Sequence, residues 1–361
     1  MIAPFQDFPA TRPAPRVTLK DIATASGVST ATVSLALRNS PRISDERKAF
    51  ILEVCDRLGY VRDARLSELM SHLRKGGRGS VNGALGVLVT RPLDAERSYD
   101  AIHRELMVGI RRKAESEGYA LNVFDVAKEG LRPQRLRQIL DARGISAIVA
   151  LPSDDHSSIR GFDFSGLAAI AIGSEDESLG LNRICPNYLK MMDQLMRETL
   201  AQGYRRVGVA PPLKRGLLRN RMINSSLDYH LYEMPEASRA PDYDGGLDDA
   251  SAFQDWIRIH QPDLILGDRK TSATLEALGT QAPEEIGFAA FDTVGMPESV
   301  SGLSIPYQLI AEEAVRLLVS QSNDNVRGLP EIPETVVVDG RYRSSETTAS
   351  RYQESMLLTA V

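Results

Sequence analysis

From Ala84 onward the sequence adopts a rhythm that few folds accept: short apolar runs alternate with longer amphipathic stretches. The runs are ALGVLVT (84–90), YALNVFDV (119–126), ISAIVAL (145–151), LAAIAIG (167–173), RVGVA (206–210), DLILG (263–267) and IGFAAFD (286–292). Each is too short for a core helix, and its unbroken apolar character marks a strand buried on both faces. Helix-length segments lie between them, around 100–117, 133–142, 188–202, 248–260 and 270–279. Strands alternating with helices specify parallel sheets with helical crossovers, a doubly wound α/β architecture. Residues 84–340 leave room for two such lobes.

In open α/β sheets a ligand sits beyond the carboxyl ends of the strands. Arg91, Asp94 and Tyr99 follow the first run, and Arg215, Arg219 and Arg221 follow RVGVA. Asp268 ends DLILG and Asp292 ends IGFAAF. An aspartate in such a place serves equally well as a helix cap, so both roles stay open. Trp256, the one tryptophan, falls in a surface-type helix and reads as a packing residue. Asp154-Asp155-His156 is the one cluster that hints at chemistry, and it reads as a helix cap.

Ahead of this body stands a different piece. Thr18 followed by Asp21 is a pattern that caps a helix start. Ile22, Ala23 and Ala25 give that helix an apolar side, and Gly27 can take the positive φ that stops it. Ser29 caps a second helix over 30–37, in which Val33 and Leu37 join Val28 in facing the first. A third helix begins at Ser44, with Phe50, Ile51, Val54 and Leu58 expected inside and Gly59 as its stop. Three short helices with this turn form a helix-turn-helix head. Next, 63–73 places Leu66, Leu69, Met70 and Leu73 on one helical face, and GGRGS at 76–80 ends it. A helix of that length is marginal alone in water.

Charge separates the two parts. Residues 16–78 hold 12 Lys/Arg against 7 Asp/Glu, whereas 79–361 hold 30 against 40. A basic head on an acidic body fits a head that approaches phosphate. The two cysteines, Cys55 and Cys185, do not make a disulfide framework, which points to a reducing cytoplasm. Residues 1–15 are proline-rich and lack the order of a signal peptide. No apolar run approaches the roughly 20 residues needed to span a bilayer. Phosphate-loop, nucleophile-elbow and His-Glu-x-x-His motifs are missing, and the five histidines lack metal spacing. The expectation is a non-enzyme without cofactor or metal.

TLKDIATASGVSTATVSLALRNSPRIS followed by LGYV resembles the DNA-binding domain of the LacI/GalR (lactose-repressor) family, without a gap from Val17 to about Leu73. EGYALNVFD, GISAIVALP, AQGYRRVGVA and PEEIGFAAFD resemble the family's landmarks further on. The resemblance implies a helix-turn-helix head, a hinge helix and a two-lobed body of the periplasmic-binding-protein type. It places the chain crossovers near 174–186, 292–296 and 304–308. Its second helix would lie in the major groove, with Thr30, Ala31 and Leu35 reading bases and Ser29, Thr32 and Ser34 on phosphates. Thr18 and Leu19 join this DNA-contact set, and Arg38 and Arg42 add phosphate contacts. Leu69 would be the hinge leucine that wedges into the minor groove. One departure matters: the family carries arginine where this chain has Leu35. Leucine cannot make the forked bond to guanine and can only touch a thymine methyl or exclude a base.

By position, Arg221 and Asp268 match the family's effector-binding arginine and aspartate, with Arg91, Tyr99, Arg215 and Asp292 completing the expected pocket. The resemblance thus implies a cytoplasmic, nucleoid-associated transcription regulator. It would be a homodimeric repressor binding double-stranded DNA at a palindromic operator under control of a small-molecule effector, with sugars the leading class. The alternatives are a cytoplasmic small-molecule receptor and a regulator without an effector. The expected parts are a disordered extension (1–15), head (16–62), hinge and linker (63–80), body (81–342) and tail (343–361). The tail is too short for the heptads of a tetramer.

Overall fold

The computed structural model describes residues 19–37, 43–58, 83–90, 97–126, 129–153, 156–173, 178–211 and 218–348. The chain divides into two compact units, Met1–Ser80 and Val81–Val361. In the first unit, α1 (Leu19–Ser26), α2 (Thr30–Leu37) and α3 (Asp45–Leu58) close on Ile22, Ala23, Val33, Ala36, Ile51, Val54 and Cys55. Two expectations fail here. Phe50 is 49% exposed, because a helix that buries Ile51, Val54 and Cys55 turns the preceding residue outward. Ala25 is likewise exposed, since Ile22 and Ala23 already occupy the inner side of α1.

The second unit contains two sheets. The first has the order β10-β5-β4-β3-β1-β2, from β1 (Gly83–Val89), β2 (Tyr119–Asp125), β3 (Ala147–Ala150), β4 (Ala168–Ile172), β5 (Arg183–Pro186) and β10 (Thr335–Val338). All its pairings are parallel. The second sheet, β11-β9-β8-β7-β6, comprises β6 (Val207–Ala210), β7 (Leu264–Gly267), β8 (Gly287–Ala290), β9 (Ser301–Ser304) and the antiparallel β11 (Arg341–Arg343). β1, β3 and β4 are buried and aliphatic, as continuous apolar runs require. β2 is an edge strand and only partly covered, contrary to the reading of all these runs as buried.

The helices α4 (Arg97–Ser116), α5 (Pro133–Ala142), α6 (Tyr188–Ala201), α7 (Leu218–Glu233), α8 (Ala250–His260), α9 (Arg269–Ala277) and α10 (Tyr307–Asn323) cover the sheets. Trp256 on α8 is a packing residue: it stacks on Phe253, and its indole N–H donates to the Pro241 carbonyl at 3.0 Å. Among the described residues no helix is long and apolar enough to cross a membrane.

The chain crosses between lobes at Asn187, at Ile305-Pro306 and at Asp339-Gly340. Accordingly, α6 packs in the core of the second lobe, α10 in that of the first, and β10 and β11 lie in different sheets. The crossing expected near 292–296 is not one. That segment leads from β8 to β9, and Ala289 pairs with Ser301 within the same sheet. The second lobe also runs past residue 342. Thr347 donates from Oγ1 to the Phe288 carbonyl at 2.8 Å, and Thr348 is buried against Ser301.

Candidate functional site

In the head, Gly27 has φ +64, the conformation that turns α1 into α2. The Val28 N–H donates to the Ala23 carbonyl at 3.1 Å, closing the turn. Ser29 then caps α2: its Oγ accepts the Thr32 N–H at 3.1 Å and lies 2.9 Å from the Thr32 hydroxyl. Ser29 and Thr30 are exposed, and Thr32 and Leu35 are half-buried. Val28, Ser29, Thr32, Ile43, Ser44 and Arg47 line one open groove across the start of α2 and the start of α3. A groove floored by hydroxyls and flanked by a guanidinium is chemically suited to a phosphate oxygen. Arg47 carries no distinguishing signal in the sequence. The fold alone brings it beside Ser29. The side chains of Leu19, Ala31 and Ser34, and residues Thr18, Arg38, Arg42 and Leu69, lie outside the described residues.

In the body, Asp268 is exposed and caps α9. Its carboxylate accepts the Thr271 N–H at 2.9 Å and lies 3.1 Å from the Thr271 hydroxyl, which in turn accepts the Asp268 N–H at 3.2 Å. This reciprocal capping box occupies lone pairs that would otherwise be offered to a ligand. Asp292 accepts the Val294 N–H at 2.9 Å and the hydroxyl of Tyr307. Arg221 is exposed on α7. Arg91, Asp94 and Arg215, and the side chains of Tyr99 and Arg219, are outside the described residues.

The structure brings together strand-end groups of which the sequence marked only His156. Thr90, following β1, places Oγ1 2.8 Å from Nδ1 of buried His156, and Ser158 Oγ donates to the Thr90 carbonyl at 3.4 Å. His103 of α4, also buried, lies 3.1 Å from the Pro152 carbonyl through Nε2. His156 makes no side-chain cap to the short 3-10 turn Ser157–Ile159 that follows it, so the expected capping role is replaced by a lateral bond to Thr90. Asp154 and Asp155 are outside the described residues. In the second lobe, Arg269 donates to the carbonyls of Val294 and Gly295, fastening the loop after β8 to the start of α9.

The family model described as "Bacterial regulatory proteins, lacI family" matches residues 18–63, the segment that holds the capped turn and the groove. Over those residues the head is of the LacI family. The maltose regulon regulatory protein MalI of Escherichia coli K12 is 29% identical over 136 residues, covering 38% of this chain and 36% of MalI. The regulator MalR of Streptococcus pneumoniae TIGR4 is 24% identical over 144 residues, 40% of this chain and 41% of MalR. The chain therefore spans well under two thirds of the curated relatives it matches. Among solved structures, a CelR–cellobiose complex covers 92% of this chain at 16% identity and a TM-score of 0.54, with all of that chain matched. A lac repressor dimer bound to operator and the anti-inducer ONPF covers 93%, also at 16% identity, with a TM-score of 0.52 and all of its chain matched. At these identities the likeness concerns the fold: a helix-turn-helix unit and a two-lobed α/β unit built on parallel sheets.

Proposed function

We propose that this LacI-family chain is a sequence-specific DNA-binding transcription regulator, a homodimeric repressor whose operator affinity is set by a small molecule held between the two lobes. The observation that carries the reading is the head's polar groove, where Ser29, Thr32, Ser44 and Arg47 converge at the start of α2. In the proposed complex α2 enters the major groove. Thr30, Ala31 and Leu35 face bases, while Ser29, Thr32, Ser34 and Arg47 grip phosphates, joined by Thr18, Leu19, Arg38 and Arg42. Leu69 wedges the minor groove from the hinge. Paired heads require a site of approximately two-fold symmetry.

The effector's cleft lies beyond the carboxyl ends of the strands, among Arg91, Tyr99, Arg215, Arg221, Asp268 and Asp292. MalI is named a maltose regulon regulatory protein, and CelR was solved with cellobiose, which supports a sugar as the effector class. Linkage supplies the mechanism. A ligand that binds one lobe arrangement better shifts the population toward it and changes operator affinity by the same free energy.

Selection of binding sites from random duplex DNA with the full chain tests the first half. A palindromic consensus with a steep salt dependence is expected, since released counterions drive phosphate binding. Binding without sequence preference would overturn it. A thermal-shift screen of mono- and disaccharides tests the second half, with about 2.7 kcal/mol of added stability expected at 100 times the dissociation constant.

A further inference from the structure

All three lobe crossings come together at one place, and side chains join two of them. Asn187, between β5 and α6, accepts the Lys190 N–H through Oδ1 at 3.3 Å and so caps α6. Its Nδ2 donates to Oδ1 of Asp339 at 2.9 Å, and its backbone N–H donates to the Val338 carbonyl at 2.8 Å. Lys190 pairs with the other oxygen of Asp339. The first crossing is thus tied to the third by backbone, amide and charge. The second crossing lies against the same place. A Cβ added at Gly340 would stand 2.6 Å from the Ser304 carbonyl oxygen and 2.6 Å from the terminal methyl of Met191.

Global stability does not explain this arrangement. The Lys190 and Asp339 side chains are 65% and 49% exposed, and exposed ion pairs contribute little to folding. Location gives them their effect. Three strands that swivel independently allow lobes to twist as well as open, whereas strands fastened together allow motion about one axis. We propose that Asp339 is a positioning residue for lobe closure, joining the crossings at 187 and 339–340 so that they turn as a single hinge. The inference rests on reading the body as a two-lobed ligand-binding unit.

The test uses the full chain with spin labels on Glu129→Cys in the first lobe and Gln254→Cys in the second, both exposed positions. Native Cys55 and Cys185 are buried. Double electron–electron resonance reads the interlobe distance without operator or effector, so its outcome is independent of whether the chain regulates transcription. One narrow population is expected for the parent chain. Asp339→Ala and Lys190→Met should each add a second population, and the double variant should broaden no further. The exchanged pair, Asp339→Lys with Lys190→Asp, should narrow the distribution in part, since it restores the charge pair but offers Asn187 Nδ2 no acceptor. Melting temperatures should stay close to the parent throughout. Unchanged distributions would overturn the proposal. So would broadening that follows a fall in melting temperature, or an exchanged pair as broad as the single variants.

Discussion

Tyr307 donates its hydroxyl hydrogen to the carboxylate of Asp292, and the bond runs from the core of one lobe to the strand ends of the other. Tyr307 is the first residue of α10 after the second crossing, while Asp292 follows β8. A residue first marked as an effector contact is therefore also an interlobe fastener.

Removing that hydroxyl should be felt. Hydrogen bonds to charged groups contribute about 1.5–3 kcal/mol, so Tyr307→Phe should lower the melting temperature by several degrees. Asp292→Asn, which keeps an acceptor, should cost less. Chemical denaturation of both variants checks the order, and equal losses would remove the fastener assignment.

Asp268 offers a sharper separation of roles. Loss of an N-cap costs about 0.5–2 kcal/mol, so Asp268→Ala should destabilise the body while Asp268→Ser largely restores it. If effector response then tracks stability across both variants, the aspartate acts as a cap. A serine variant that is stable yet unresponsive would establish it as a ligand contact.

Gly340 is fixed by crowding. Overpacking costs typically about 1–3 kcal/mol, and at this position one of the opposing atoms is the Ser304 backbone oxygen. Gly340→Ala should reduce stability by that order in a urea titration. A neutral result would mean that the crossings slide apart easily.

Leu35 governs base choice in the proposed complex. An arginine–guanine fork is worth roughly 1–3 kcal/mol of discrimination, and leucine forfeits it. Half-sites selected by the parent chain should tolerate substitution opposite Leu35 or favour thymine, and Leu35→Arg should shift that position toward guanine. The comparison is a ratio between sequences at one salt concentration. A guanine strictly required by the parent chain would mean that another side chain reads that base.

The hinge should resist mild acid. Hydrogen bonds from Lys190 and then Asn187 hold the Asp339 carboxyl below its ordinary 3.8. A depressed folded value means that its contribution is complete above the unfolded value and is lost as pH falls through the folded one. Interlobe distances should therefore hold from neutral pH to about 4 and spread only below. Spreading near pH 6 would implicate a histidine instead.

What the sequence announced was local chemistry. Gly27 and Ser29 sit in a turn that their own backbone and hydroxyl determine, and the strands around Val87, Val149 and Ile170 are apolar enough to be recognised alone. The helix signal in α10 is local as well, with Ile310, Ala311, Ala314, Val315 and Leu318 buried at helical spacing. What it hid depended on distant partners. β10 is exposed TVVV, recognisable once β5 lies beside it. Arg47 in the groove, the Thr90–His156 bond and the Asn187–Asp339 bond bring together groups far apart in sequence or on separate elements, which no periodicity reveals.

The threefold crossing also dictates an order of assembly. The first lobe's sheet is missing β10, and its core is missing α10, until the chain has been synthesised through Val338. The second lobe waits for β11 and Thr348. Neither lobe is a contiguous stretch of chain, so neither can mature on the ribosome while the other is still being made. Such late, distant pairings slow folding and leave apolar surface uncovered in the interval. A nascent chain halted before residue 300 would carry two unfinished sheets, with β9, β10 and β11 still to come.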